Sequence, residues 1–426
     1  MNPRPHVVIV GGGFAGIAAA QSLKRANVRI TLVDRRNHHL FQPLLYQVAT
    51  AALAPADIAE PIRAILSKQK NAKVVLGEAS SVEPDAKRIR VAEQWLDYDW
   101  LILAAGARHA YFGNPEWEEH APGLKTIGDA LEIRRRILLA YERAEWETDP
   151  TERDRLMTFV VVGGGATGVE VAGAIADISR LTLRRDFRNI NTEQTRVVLV
   201  EGSNNVLGAY DDPLPVKACK QLQSLGVEVR FESLVTGVDA HGVTLADGWR
   251  IEAATVIWAA GVQGSSVGAD AGWERHRSGR VPVQPDLTVP GHDNVFVIGD
   301  QALVDGPDGP VPGVAPAALQ MGKHAGAVIR AALAGKDRPA FRYTDRGSMA
   351  TIGRARAIAQ TGPFKLSGFI AWLAWVFIHI LFLITFRNRV VVMLKWAWAW
   401  LMADRSSRLV WETEPHAHPA HKAEGP

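Results

Sequence analysis

An α/β fold with two Rossmann-like nucleotide-binding halves and a separate helical C-terminal region is what the 426-residue sequence predicts. Two observations carry the α/β part. A strand–glycine-turn–helix unit occurs twice, as VVIVGGGFAGIAAA (residues 7–20) and as VVVGGGATGVEVAG (residues 160–173). Two further apolar strands, WLILAAG and TVIWAAG, each end in Ala-Gly, as strands returning to a nucleotide domain do. The third observation is an apolar run over residues 369–386, interrupted only by His379 and Thr385.

In the first unit HVVIV reads as a buried strand, and Gly11, Gly13 and Gly16 follow in G-x-G-x-x-G spacing. The glycines permit a sharp turn and let the backbone approach a pyrophosphate. The helix that follows offers free N–H groups and partial positive charge. A second strand, VRITLVD, ends in Asp34, about 20 residues on, where an acid binds ribose hydroxyls. The bland alternative is a tight turn with no ligand. Strand, turn, helix, strand and terminal acid together weigh against it.

The second unit repeats the logic with Gly163, Gly165 and Gly168. Its second strand, RVVLVE, ends in Glu201, delayed by an insertion, TLRRDFRNINTEQT. No arginine follows in GSNN, so a 2′-phosphate would meet repulsion without a cation, and NADH is favoured. Asp34, by contrast, is followed by Arg35 and Arg36.

Composition bounds the rest. With 47% hydrophobic and 22% charged residues the chain is globular, and its length implies two or three domains. A net charge of +3 implies no nucleic-acid partner. The single cysteine, Cys219, excludes a disulfide framework and a thiol-pair redox centre. No metal-ligand cluster is evident, and the histidines of the tail HAHPAHKAEGP lack partners of fixed spacing. That tail is expected to be disordered. No signal-peptide pattern precedes the first strand, so a cytoplasmic body is expected.

Late in the chain VFVIGDQA places Gly299 and Asp300 at a strand end. Paired glycine turns with this late motif resemble the two-dinucleotide-domain flavoproteins. NHHLFQPLLYQVATAAL, GGGATGVEVAG, VPGVAPAALQMGKHA and the C-terminal apolar block are similar to one branch, the type II (alternative) NADH:quinone oxidoreductases. The resemblance covers all but the tail. It implies FAD on the first turn and NADH on the second, with the FAD domain discontinuous and the NAD domain inserted. The divisions it implies are residues 1–115 and 281–344 for FAD, 116–280 for NAD(H), 345–412 for a membrane-anchoring region and 413–426 for the tail. It carries Phe14, Ala15, Asn37, His38 and Val82 to the FAD site, with Ala105, Gly106, Gly299 and Asp300. Ala260 and Gly261 go to the nucleotide sites, and Ala318 and Leu319 to the flavin's surroundings.

Glu170 has no counterpart in the first unit, where Ala18 holds the matching place. By itself it is an ordinary Glu in the first turn of a helix, kept ionised by the helix dipole. The resemblance implies a place near flavin and nicotinamide and a role in their contact or in proton delivery. Ala18 is expected where close packing against FAD leaves no room for an acid. The family's Ala-Gln-x-Ala-x-Gln appears here as Ala315-Pro316-Ala317-Ala318-Leu319-Gln320. Gln320 is the candidate quinone ligand, against a plain surface amide. Pro316 suits a helix start but cannot donate to a quinone carbonyl.

About 18 apolar residues from Phe369 give roughly 27 Å of helix, marginal for a span. VVVMLKWAWAWLM, broken by Lys395, is too short to cross. Six of 13 tryptophans fall from Trp372 onward, and basic residues such as Arg387 and Arg389 flank the runs. Trp prefers the headgroup level and basic flanks suit an anionic leaflet. A monotopic anchor on the cytoplasmic face is expected, with a true span or a buried or dimer-forming helix as the other readings. His379 reads as a packed residue. The resemblance also allows a homodimer. The function expected is two-electron transfer from NADH through FAD to a membrane quinone, without proton pumping. The alternatives are a soluble NAD(P)H-dependent flavin reductase with a protein or oxygen acceptor, and a slow redox-sensing flavoprotein.

Overall fold

A computed structural model describes residues 4–307, 309–383, 386–402 and 407–410. The His-rich tail, with residues 413–426, lies outside the described residues.

The chain opens as β1 (His6–Val10), α1 (Phe14–Ser22) and β2 (Arg29–Asp34), the order the first glycine turn dictates. Helix α2 (Leu45–Ala49), β3 (Ala72–Leu76), β4 (Trp100–Leu103) and β5 (Ala107–His109) follow. The long helix α3 (Ile127–Trp146) starts at a capping box in which Thr126 and Asp129 exchange hydrogen bonds. The second unit is β6 (Thr158–Val162), α4 (Ala166–Asp177), β7 (Arg196–Val200), β8 (Val227–Arg230), β9 (Thr255–Trp258) and β10 (Val262–Gly264). The chain then returns through β11 (Thr288–Val289) and β12 (His292–Val297) to α5 (Ala315–Leu333). It ends in a meander, β13 (Ser348–Gly353), β14 (Arg356–Thr361) and β15 (Phe364–Ser367), and two helices, α6 (Phe369–Phe382) and α7 (Phe386–Met402).

Two sheets result. The first has the order β11-β12-β4-β1-β2-β3, parallel except for β11. The second is β8-β7-β6-β9, all parallel. Strands such as β1 and β6 are buried along their whole length, as sheets covered on both faces require. Because β12 pairs with β4, the first sheet is assembled from both sides of the second in sequence. The antiparallel pair β5–β10 runs between them. Helix α5 lies along α1 so closely that a Cβ on Gly322 would overlap Ala15 O and crowd Ala18.

The insertion after α4 is compact rather than extended. A π-helical turn (Ile178–Thr182) leads α4 into it, and the insertion itself forms two 3-10 turns (Leu183–Arg185 and Thr192–Gln194). The apolar run over residues 369–386 is not one helix, because α6 stops at Phe382. No described helix is long and apolar enough to cross a membrane. Helix α6 is apolar all round, so both of its faces need cover. Ala371 and Trp375 are buried against the body, while Ile370, Phe377 and Leu381 are 66%, 69% and 51% exposed.

Candidate active site

The two glycine turns are superimposable in their chemistry. Gly11 and Gly163 take φ of +105° and +106°, a region L side chains avoid, and a Cβ on either would collide with the neighbouring Ala-Ala backbone (Ala104 or Ala259). A Cβ on Gly16 would sit inside Gly11 O, and one on Gly168 inside Gly163 O, so these glycines let helix close onto strand. The terminal acids latch the turns alike. Asp34 Oδ2 accepts Gly12 N–H at 2.5 Å and Oδ1 accepts Arg36 N–H at 2.7 Å. Glu201 Oε2 accepts Gly164 N–H at 2.5 Å and Oε1 accepts Ser203 N–H at 2.8 Å. Each oxygen retains a lone pair for a ribose hydroxyl.

Both turns open on one cleft of about 2210 Å³. Gly11, Gly13, Phe14, Ala15 and Asp34 line it from the first half, with Ala105, Gly106 and His38. Gly165, Thr167 and Glu170 line it from the second, and Gly299, Asp300, Ala318 and Leu319 from the returning segment. Gly16, Gly163, Gly168 and Glu201 stand behind the wall, where they shape the turns. Ala260 and Gly261 follow β9 and are also outside the lining, with Gly261 beside Phe112.

The lining fits two dinucleotides. Helices α1 and α4 begin at Gly13 and Gly165 without a side-chain cap, leaving N–H groups for an anion. The buried ring nitrogens His38 Nε2 and His39 Nε2 have no partner among the described residues. Lys125, lining the same cleft, is pulled below the usual lysine range by burial, opposed by Asp300. The volume exceeds the roughly 300–1,000 Å³ of single-ligand pockets.

Several expected residues lie elsewhere. Asn37 is exposed and bonds its neighbour, His38 Nδ1, at 3.1 Å. The residue that braces the turn is His39, whose Nδ1 bonds Gly12 O at 2.9 Å. Val82 is buried behind the sheet and its N–H points to Asp270. Gln320 is turned away from the cleft. Its Nε2 donates to Thr344 O and its Oε1 accepts Thr344 N–H, both at 2.9 Å. Pro316 occupies the start of α5, as a residue without an N–H can, and lines the cleft beside Leu319.

Glu170 corrects an electrostatic expectation. Helix α4 starts at Ala166, so Glu170 is its fifth residue, beyond the first turn where the dipole acts. Burial pushes its carboxyl up to about 8, against a weak bond from Thr351 N–H at 3.4 Å. It is therefore held protonated at neutral pH. Ala18 is small because α5 occupies the space beside it, as the contact with Gly322 shows; it also lines the cleft.

Helix α6 closes one side through Ile378, His379 and Phe382. His379 stacks on Trp375 with ring centroids 4.2 Å apart and its Nδ1 bonds Trp375 O at 2.7 Å. Burial lowers it to about 4, leaving it neutral. Helix α7 is fastened around α2, on the side where Trp375 of α6 also packs. Lys395 Nζ meets Asp57 Oδ2 at 2.6 Å, and Trp396 Nε1 donates to Gln47 Oε1 at 2.7 Å.

Sequence comparison agrees with this geometry. Residues 5–322 match the pyridine nucleotide-disulphide oxidoreductase family and residues 346–404 the NDH2 C-terminal domain. Two type II NADH:quinone oxidoreductases of Mycobacterium tuberculosis, Ndh and NdhA, are 45% and 48% identical. The matches cover 97% and 92% of this chain and 92% and 86% of theirs. In fold, the chain is similar to NDH2 from Plasmodium falciparum, solved in complex with NADH, at a TM-score of 0.86. That likeness covers 96% of this chain and 100% of the other, at 20% identity. The sulfide:quinone oxidoreductase of Aquifex aeolicus shares the fold at a TM-score of 0.73, 20% identity and 90% and 92% coverage.

Proposed function

The chain belongs to the type II NADH:quinone oxidoreductase family, and on that premise we propose how its residues divide the work of an enzyme that uses FAD and NADH and passes electrons to a quinone. FAD, when bound, supplies the redox step, accepting a hydride equivalent and releasing two electrons. The N-terminus of α1 with Gly11 and Gly13 holds the FAD pyrophosphate, and Asp34 its ribose. The N-terminus of α4 with Gly165 holds that of NADH, and Glu201 the adenine ribose. Among the described residues Glu201 makes no ion pair, which favours NADH over NADPH. Glu170, lining the cleft between the two, carries an exchangeable proton for the quinone. The single observation that supports this reading is that both uncapped helix starts and the Glu170 carboxyl, which burial pushes up to about 8, line the same cleft.

The quinone approaches by the side that Leu319, Ile378 and Phe382 line, because that wall is apolar and continues into the exposed face of α6. That face, and Trp398 of α7, 57% exposed, present apolar surface of the kind that marks a contact site. We assign it to one leaflet of the cytoplasmic membrane face, with α6 lying in the interface.

The test is NADH oxidation by protein of measured FAD content, with and without a short-chain quinone. The expected result is about one FAD per chain and turnover that depends on quinone. Oxidation at the same rate with oxygen alone would refute the quinone assignment.

A further inference from the structure

A second, smaller cavity of about 130 Å³ also reaches Glu170. One face of a single helix builds its length: Glu170, Ala174 and Asp177 of α4, then Leu181 in the π-helical turn that extends it. The spacing of four, three and four keeps these on one side, over roughly 16 Å. At one end Leu181 is 45% exposed; at the other Glu170 also lines the main cleft. The cavity therefore runs from the surface to the back of the proposed proton donor.

Its walls are polar at intervals. Thr351 N–H points at Glu170 Oε1, and Arg354 N–H donates to Asp177 Oδ2 at 2.7 Å. Gln47 and Thr50 face them. Trp375, only 2% exposed, lines the cavity, and its Nε1 has no partner among the described residues. A buried indole N–H ordinarily has a partner, and a water in the cavity supplies one. The volume holds several waters, since one needs about 10–15 Å³. It is well below the roughly 300 Å³ of small organic-ligand pockets.

The reaction needs such a route. Quinol formation takes two electrons and two protons. NADH gives two electrons and one proton as hydride, so one more proton must come from water in every turnover. The main cleft, with two dinucleotides in place, is a poor entrance for it. We propose that the second cavity is the water-filled path by which this proton reaches Glu170, with Asp177 as the relay carboxylate midway. The inference rests on the assignment of Glu170 above. The O–H bond of Glu170 breaks as its proton passes to a quinone oxygen. It is remade by a proton handed on from Asp177, which takes one from the water that enters at Leu181. The balance is NADH + H⁺ + quinone → NAD⁺ + quinol.

Asp177→Asn keeps an acceptor for Arg354 N–H but cannot relay a proton. Ala174→Leu plugs the cavity. Both are compared with wild type and Glu170→Gln as FAD-loaded protein. Three readouts are used: flavin bleaching by NADH, flavin reoxidation by quinone across pH, and infrared-detected H/D exchange of the Glu170 carboxyl. The ionisable groups facing Glu170 and the cavity are Tyr46 from α2, Tyr210 and Arg354 from the facing loops, Asp177 on the same helix and His379 from α6. We expect bleaching within twofold of wild type, reoxidation slowed about tenfold or more with its decline shifted to lower pH, and slower carboxyl exchange. If both variants keep wild-type reoxidation and exchange while Glu170→Gln is slow, the path is wrong and the donor stands. If Glu170→Gln is also fast, the donor assignment falls and takes the path with it. If Ala174→Leu instead raises KM for long-chain quinone only, the cavity seats a quinone tail and the proposal is overturned.

Discussion

At the residue scale Glu170 decides most. Burial pushes its carboxyl from the ordinary 4.5 up to about 8. A donor must be protonated, so quinone reduction should fall as pH rises through about 8, read as flavin reoxidation at saturating quinone. Glu170→Gln should lower that rate by roughly 10²–10⁴-fold, the usual contribution of a positioned acid, with FAD still bound. The same shift acts on stability. Because the folded value is raised, the stabilisation is fully present below about pH 4.5 and is lost as pH climbs toward 8. Glu170→Gln should therefore melt roughly 2–4 °C higher than wild type at pH 7.5. Gln320 points the other way. Its two bonds to Thr344 make it a brace for the approach to β13. Gln320→Ala should cost about 1–2 kcal/mol of stability and leave KM for quinone within twofold. A tenfold rise in KM at unchanged Tm would show that the brace is incidental. The sequence made Glu170 conspicuous because its counterpart is Ala18. It could not show its protonation, which depends on burial by residues nearly 200 positions away. His39 and Lys125 escaped notice for the same reason: nothing local marks a ring or an ammonium as facing a ligand.

Among elements, the glycine turns were legible down to single atoms. G-x-G-x-x-G with a strand on either side leaves one workable backbone path, and both copies follow it. The two halves can be told apart by one methyl group each. Gly16→Ala should push α1 off β1 and yield protein with much less than one FAD per chain, read from absorbance. Gly168→Ala should do the same to α4 and β6, raising KM for NADH about tenfold or more while flavin content holds. The C-terminal apolar run was less legible. Hydropathy over residues 369–386 does not reveal that α6 ends at Phe382, where Leu383 leaves the helical backbone and is buried, 1% exposed. The insertion likewise read only as a delay before Glu201, because isolated 3-10 turns have no distinctive composition.

For the whole molecule, strand pairing of β12 with β4 could not be read from any local pattern. Only the family resemblance implied that the chain comes back to its first sheet. The exposed face of α6 gives a test at this scale. Replacing Ile370 and Phe377 by Ser should release the protein from anionic vesicles in a sedimentation assay. Turnover with a water-soluble quinone should stay within about twofold, since neither side chain lines the cleft. Vesicle binding equal to wild type would move the contact surface elsewhere. Helix α6 has one further consequence. It is a single rod about 10–12 Å across, with Ile370 and Phe377 on its outer side and His379 and Phe382 in the cleft wall. Any amphiphile that coats the outer side, whether a purification detergent or a greasy inhibitor, sits one helix diameter from the reacting centre. Micelle composition is thus an experimental variable on a par with substrate concentration, and rate constants measured in different surfactants describe different enzymes.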